Sequence, residues 1–449
     1  MNLRDYQLDL FLRIQTAFRS GVKNPLIVSP TGSGKTVLFC HIADTIQRGG
    51  KRAIILVHRK ELVAQTSKTL RQFDIPHGII QSGITPDPTK LIQVAMVQTI
   101  SRRLHTVAPP NLIICDEAHH MAAGDYRKIV VAFPTAYVIG VTATPQRLDG
   151  KGLADFFSDI IMGPTVEWLM SEGHLSRPKY FAPPMVADMR GVKKRMGDFS
   201  QSEAAAVMDK ATITGDAVKH YQKICPDSPA IAFCVTVAHA QHVAEQFNAA
   251  GIKADTIHAA MHHDARKKIV SDLADGTINV MTSCDIVSEG FDVPVVGAAI
   301  LLRPTTSLGL HLQQIGRVLR PCAGKTHSTI LDHVGNLSRH GLAEDEREWS
   351  LLGQDKKSSK SEPLGLKQCR QCFCMHRPVP VCPECGYIYP QPRLRKLSVI
   401  EGNLEEFCRM PLQMALKECR SRNDLKVIQK AKGYKPGWTY YMAKELNLS

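Results

Sequence analysis

The sequence lacks any apolar stretch near the ~20 residues that a helix needs to cross a bilayer. Its longest such runs, for example residues 293–302, have the length of a strand. The first residues, Met1-Asn2-Leu3-Arg4-Asp5, have no apolar core of the kind that marks a secretory signal. A cytoplasmic protein without a membrane partner is therefore expected. Acidic residues are also in short supply, with 42 Asp+Glu against 56 Lys+Arg and a formal net charge of +14. An excess of this size attracts polyanions, phosphate backbones foremost, although charge alone also serves solubility. No internal repeat appears beyond the likeness of two α/β halves, and no additional acidic cluster has the spacing of a fused nuclease.

Cysteine is not scarce, with 13 residues, but in a large cytosolic protein a local metal site is expected rather than a disulfide framework. Cys40, Cys115, Cys225, Cys234, Cys284, Cys322, Cys408 and Cys419 are scattered singly, several of them in apolar runs where a thiol behaves as a small hydrophobe. The rest crowd between Cys369 and Cys385, as a local metal site would require.

Hydrophobic periodicity divides the chain. In residues 1–165, buried strands are expected at 26–29, 53–58, 91–95, 112–115 and 137–141, each followed by a loop or helix, so the sheet should be parallel. Residues 166–200, with prolines at 178, 183 and 184 and the cluster Lys193-Lys194-Arg195, read as a connection. The alternation resumes over 201–345, with strands at 230–235, 255–258, 278–283, 298–302 and 328–332 and helices at 238–250, 263–274 and 308–319. A polar linker over 346–362, a cysteine module over 363–392 and a basic helical tail over 393–449 complete the order.

The strand at 26–29 runs into Pro30-Thr31-Gly32-Ser33-Gly34-Lys35-Thr36 and then an apolar helical pattern. This strand, Gly-rich loop and helix start is the context a phosphate-binding loop requires. Gly32, Ser33 and Gly34 let backbone N–H groups turn toward phosphate, Lys35 would reach the β- and γ-phosphates of ATP, and Thr36 would bind Mg²⁺. Ser29 stands where the strict pattern begins with glycine. Downstream, Leu112-Ile113-Ile114-Cys115-Asp116-Glu117 is an apolar strand ending in two carboxylates. One acid to hold Mg²⁺ and one to direct water is what ATP hydrolysis needs, which assigns Asp116 and Glu117.

Asp116-Glu117-Ala118-His119 together with the TGSGKT loop resembles the DEAD/DEAH-box helicases of superfamily 2. Other motifs follow in the family's order. Leu3-Arg4-Asp5-Tyr6-Gln7 resembles the glutamine motif, which implies that Gln7 reads adenine. His58-Arg59-Lys60-Glu61 resembles a motif on the nucleic-acid path, and Thr142-Ala143-Thr144 one that couples hydrolysis to movement. Ser288-Glu289-Gly290-Phe291-Asp292 and Gln313-Gln314-Ile315-Gly316-Arg317-Val318-Leu319-Arg320 resemble the two motifs of the second lobe. The resemblance implies two RecA-like parallel-sheet lobes in tandem, followed by a small zinc-binding module and a helical tail. It implies catalytic Arg317 and Arg320, three apart and therefore expected on one helix face. It also implies nucleotide contacts from Gly290 and Asp292, and coupling through His119, Thr142, Thr144 and Gln313. Contacts to nucleic acid are implied for Arg59, Gln98, Thr99 and Ser283.

Leu302-Arg303-Pro304-Thr305 and Ile330-Leu331-Asp332-His333-Val334-Gly335-Asn336 narrow the resemblance to the RadD-type bacterial DNA-repair helicases, and the ending at 434–441 to phage-encoded relatives. DNA, single-stranded or branched, is then the expected substrate, and a single-stranded-DNA-binding protein an expected partner by the same resemblance. An ATP-switched binding factor with little unwinding, or a motor on RNA, would share these motifs. No 2′-OH-reading motif separates the nucleic acids.

Cys369-Arg370-Gln371-Cys372 and Cys382-Pro383-Glu384-Cys385 form two knuckles whose four thiolates suit tetrahedral Zn²⁺ in a closed structural site, with Cys374 and His376 as spare ligands. In the tail, Lys430, Lys432 and Lys435 interleave with Tyr434, Trp438, Tyr440 and Tyr441. Such a pattern can stack bases and neutralise phosphates, but the aromatics are expected to pack the tail down onto the cysteine module.

Overall fold

The computed structural model describes residues 3–121, 124–146, 152–183, 189, 191–195, 198–209, 211–284, 293–353, 365–390 and 411–448. The chain forms two compact units, Met1–Tyr389 and Pro390–Ser449. Among the described residues, no helix is long and apolar enough to cross a membrane.

The first lobe is one parallel sheet of β1 (Pro25–Val28), β2 (Ala53–Val57), β3 (His77–Ile80), β4 (Ile92–Met96), β5 (Leu112–Asp116), β6 (Tyr137–Thr142) and β7 (Asp159–Met162), in the order β3-β4-β2-β5-β6-β1-β7. β1, β2 and β5 are buried along their whole length, because helices cover both faces of the sheet. Leu10, Leu38 and Ile55 fill one side, and Ile54, Ile113 and Phe157 the other. In β6, Gly140 is required by close packing: a Cβ there would lie 2.3 Å from the Phe157 ring.

The second lobe holds β8 (Pro178–Phe181), a small hairpin of β9 (Lys194–Arg195) and β10 (Asp198–Phe199), and then β11 (Ala230–Phe233), β12 (Ala254–Ile257), β13 (Val280–Ser283), β14 (Ala298–Leu301) and β15 (Ser328–Asp332). Its sheet continues into β16 (Lys367–Gln368) and β17 (Cys374–His376), in the order β12-β13-β11-β14-β15-β8-β17-β16. The strands through β8 are parallel, and β17 and β16 run antiparallel.

Strands β3, β7, β16 and β17 are not among those expected, and three further features differ from expectation. Pro178–Phe181, read as connection, is a strand of the second sheet, paired with β15 despite its leading proline. The helix expected to reach Leu319 is Leu308–Gly316, so Arg317 is its C-cap and Arg320 lies in the bend beyond. The two arginines share a neighbourhood through this turn, not through a common helix face. In the stretch read as polar linker, Trp349 and Leu351 pack against the first lobe's core, and the Leu351 carbonyl accepts from the backbone N–H groups of Leu153 (2.7 Å) and Ala154 (3.0 Å). The second unit is helical, with Leu412–Glu418, Arg422–Lys432 and Trp438–Glu445.

Candidate active site and metal centre

Parallel register builds the site. Val28 of β1 pairs with Thr142 of β6, and Asp116 of β5 pairs with Val141, so the segments that follow these strands emerge at one edge of the sheet. At that edge Gly32 and Gly34 take φ of +87° and +76°, a conformation that costs glycine nothing. Gly34 caps the helix Lys35–Arg48 and so turns its first N–H groups toward the loop. Thr36 lies in that first turn.

Ser29 is bound into the loop it begins, with its hydroxyl donating to Ser33 Oγ at 2.7 Å while both residues are buried. Tyr6 Oη donates to the Ser33 carbonyl (2.8 Å), and Gln7 Nε2 donates to the carbonyls of Ser33 (3.3 Å) and Gly34 (3.2 Å). Gln7 thus braces the loop in this state of the protein, and a Cβ on Gly34 would meet its Nε2 at 2.5 Å.

Lys35 Nζ donates to the carbonyls of Ser29 (3.1 Å) and Pro30 (3.2 Å). Burial lowers the Lys35 pKa, against Glu117 and Asp116, which raise it. Burial and the Glu117 charge push the Asp116 carboxyl up to about 7, against Lys35. Glu117 is held at φ +49°, ψ +55°, a conformation rare for a bulky residue and found where function outweighs local strain. His119 follows it. The Thr142 hydroxyl donates its only proton to the Thr144 carbonyl (2.9 Å), so it accepts from His119 Nδ1 (3.2 Å), which must be the protonated ring nitrogen. Glu117 Oε2 is 3.4 Å from the same nitrogen, longer than a hydrogen bond.

The second lobe reaches this edge at both ends of the helix Leu308–Gly316. A Cβ on Gly309 would lie 3.0 Å from Thr144 Oγ1, and one on Gly316 would lie 2.6 Å from Thr31 Cβ. Arg317 is buried, the Arg320 side chain passes over Gly32, and both guanidinium charges depress the Lys35 pKa. Gln313 is buried on the same helix. The bend carrying Arg320 is fastened by a residue that sequence reasoning missed. Lys325 Nζ donates to the carbonyls of Val296 (2.7 Å), Val318 (2.5 Å) and Arg320 (2.9 Å), and burial lowers its pKa to about 8. A lone lysine after Cys-Ala-Gly carries no motif to announce this.

Asp332 and Asn336 of the ILDHVGN segment are structural caps. Asp332 accepts from the backbone N–H groups of Leu337 (2.7 Å) and Val334 (3.1 Å), and Asn336 Oδ1 accepts from Thr305 N (3.1 Å). Of the residues expected on the nucleic-acid path, Gln98 is exposed, Arg59 and Thr99 are half-buried, and Ser283 is buried at the end of β13. Glu61, beside Arg59, meets Arg266 of the second lobe at 2.6 Å. Gly290 and Asp292 lie outside the described residues.

The cysteine knuckles converge. Sγ atoms of Cys369, Cys372, Cys382 and Cys385 all lie within 4.8 Å of one another. Cys369 and Cys385 are 3.6 Å apart, and Cys372 and Cys382 3.7 Å. A tetrahedral Zn²⁺ with bonds of ~2.3 Å sets its sulfurs ~3.8 Å apart, so the donor set fits zinc in both spacing and chemistry. The spare ligands are engaged elsewhere: His376 bonds Tyr389 Oη (2.9 Å) and the Arg377 carbonyl (2.6 Å), and Cys374 lies in β17 against β8. Lys179 of β8 pairs with Glu384 between the second pair of cysteines (2.8 Å).

Two stacked α/β lobes, with a phosphate loop and paired carboxylates on one and arginines offered by the other, define a P-loop ATPase of the two-lobed motor class. Residues 1–147 match the family described as "Type III restriction enzyme, res subunit", and residues 216–322 match the "Helicase conserved C-terminal domain". A 51.5 kDa protein of a Lactococcus phage is 34% identical over 384 residues, covering 85% of this chain and 81% of its own length. IRC3 of Saccharomyces cerevisiae, named as an ATP-dependent helicase, is 31% identical over 354 residues, 74% of this chain and 51% of that one. The chain therefore spans about half the length of the yeast relative. In structure, a fragment of an HsdR subunit of a type I restriction enzyme from Vibrio vulnificus superimposes with a TM-score of 0.60 at 22% identity, over 75% of this chain and 65% of that one. The chain belongs to the superfamily 2 family of ATP-hydrolysing helicases.

Proposed function

We propose that this protein is a DNA-stimulated ATPase that translocates on single-stranded or branched DNA, in the manner of the RadD-type repair helicases. One observation carries the reading: Lys35, Asp116 and Glu117 of one lobe and Arg317 and Arg320 of the other meet around a single phosphate loop. Lys35 would hold the β- and γ-phosphates of ATP, and Asp116 with Thr36 would hold Mg²⁺, which would neutralise phosphate charge there. Glu117 orients the attacking water. Arg317 and Arg320 meet the charge that develops on the transferred phosphoryl group, an effect worth ~10³–10⁵ in rate for arginines in comparable sites. Gln7 reads adenine when its donor leaves the loop carbonyls.

The His119–Thr142–Thr144 chain reports the state of the γ-phosphate to the second lobe, with Gln313 on the receiving helix. Arg59, Gln98 and Thr99 line the backbone path, where contacts are sequence-independent and salt-sensitive. Ser283, buried, would reach a strand only after the lobes move. DNA is favoured over RNA by the restriction-enzyme family match; the +14 charge attracts either polyanion. Cys369, Cys372, Cys382 and Cys385 hold a structural zinc that stiffens the outer edge of the second lobe.

The test is ATP turnover with single-stranded DNA, duplex, forked DNA or RNA across salt concentrations. Stimulation by single-stranded or forked DNA that weakens steeply with salt is expected. Equal turnover with and without every nucleic acid would overturn the reading, and stimulation by RNA alone would overturn the DNA assignment.

A further inference from the structure

The second compact unit carries a feature that the motor reading leaves unused. Helices Arg422–Lys432 and Trp438–Glu445 pack through Leu425, Ile428 and Ala443, and Thr439 Oγ1 bonds the Gln429 side chain. Ser421 and Asp424 form a capping box at the start of the first helix, and Gly433 at φ +69° ends it. These contacts fix which faces look outward. On the first helix, Arg422, Lys426 and Lys430 are exposed and spaced four residues apart, a basic stripe with steps of ~6 Å. On the second, Tyr440 and Tyr441 are 64% and 73% exposed, and Lys444 lies one turn beyond them.

Aromatic packing accounts for only part of this set. Tyr434 and Trp438 stack on each other at 4.8 Å, as an internal anchor should. Tyr440 and Tyr441 meet each other edge to face at 6.0 Å but leave most of both rings in water. Residues 411–448 contain eight Lys/Arg and three Asp/Glu, a surplus of five positive charges in 38 residues. Exposed rings and regularly spaced cations on one pair of packed helices match a polymer of flat bases and regularly spaced phosphates whose bases are unstacked.

We infer that the C-terminal helical unit is a second nucleic-acid-binding site, in which Tyr440 and Tyr441 stack on the bases of a single strand while Arg422, Lys426, Lys430 and Lys444 neutralise its phosphates. It holds a strand independently of the nucleotide state of the motor. A duplex offers the same phosphates but no free base face, so the site discriminates for single strands.

The test uses the full chain carrying Lys35→Ala, so that binding is measured without turnover, and fluorescein-labelled oligo(dT), oligo(U) and a blunt duplex in anisotropy titrations. Tyr440→Ala with Tyr441→Ala is expected to weaken oligo(dT) binding at least fivefold, since each stacked base is worth ~1–3 kcal/mol. Replacing Arg422, Lys426 and Lys430 with Gln is expected to flatten the salt dependence by ~2 in slope, at ~0.7 per charge on a single strand. Comparable losses on oligo(U) are expected, and little change on duplex. In the Lys35 background-free protein, unstimulated ATP turnover should be unaltered by these substitutions, and circular dichroism should show an intact fold. Unchanged oligo(dT) affinity and salt slope in both variants would overturn the site, as would a loss confined to duplex. A motor that fails to respond to DNA while its tail still binds oligo(dT) would sink the proposed function alone.

Discussion

Replacing Gly316 with Ala tests whether the site between the lobes works by close approach. The added Cβ would lie 2.6 Å from Thr31 Cβ and 2.8 Å from its Cγ2, where ordinary contact begins near 3.4 Å. The clash is with a β-branched side chain on the phosphate loop itself, so no flexible tip can swing aside. Relief requires the helix end and the loop to separate by about 0.8 Å, the difference between 3.4 and 2.6 Å. Arg317 follows immediately and moves with it. A displacement near 1 Å at a reacting centre costs ~10²-fold in rate. The contact joins two lobes and lies outside both cores, so the melting temperature should fall little. Gly316→Ala is thus expected to bind a fluorescent ATP analogue nearly as the parent does while kcat drops on the order of 100-fold. Gly365→Ala, where a new Cβ meets nothing within 4 Å, serves as the control. Parental kcat in Gly316→Ala would refute the claim that catalysis depends on this approach.

Other expectations concern separate parts of the molecule. Glu117→Gln should keep ATP binding and lose turnover by ~10²–10⁴-fold, the range for a removed general base, measured in a single-turnover assay. Metal analysis should return one zinc per chain, and Cys382→Ser or chelation should lower Tm by several degrees, because the knuckle holds β17 against β8. The second lobe should unfold first on acidification: burial lowers His239 and His340 to about 4 and His333 to about 3. Below pH 6.5 the unfolded chain binds protons these rings refuse, so stability is full above ~6.5 and falls toward pH 4 by up to ~1.4 kcal/mol per pH unit for each ring. Thermal melts between pH 4.5 and 7.5 that fail to show this loss would remove the histidines as its cause.

The parts of the fold that a sequence announces are those fixed by continuous apolar runs. β2 and β5 are buried on both faces, so every residue except the terminal Asp116 is apolar, and their ends fall within one position of expectation. β3 and β8 escaped because their signals are diluted: β3 begins with a half-buried histidine, and β8 opens with a proline beside a lysine that serves Glu384. The loop and the acids were legible because phosphate chemistry demands particular residues at fixed spacing. Their supports were not. Tyr6 on the Ser33 carbonyl and Lys325 on the Arg320 carbonyl act through backbone atoms, which any sequence offers. The helix end at Gly316 was overrun because Val318 and Leu319 continue an apolar pattern that they satisfy by burial outside the helix.

The two glycines of the helix Leu308–Gly316 connect these observations. Gly309 faces Thr144, whose carbonyl holds Thr142 and through it His119, near Asp116 and Glu117. Gly316 faces Thr31 of the phosphate loop. One nine-residue helix therefore touches the first lobe at both ends, each time through a position without a side chain. A regular helix of this length spans ~13 Å and moves as a rigid rod. On the proposed mechanism, a shift at the phosphate loop on loss of the γ-phosphate would pass along this helix to Thr144 or turn the second lobe. Side chains at either contact would add compliant atoms between the lobes. Their absence leaves both contacts stiff, as the proposed motor would need if each hydrolysis is to produce one movement.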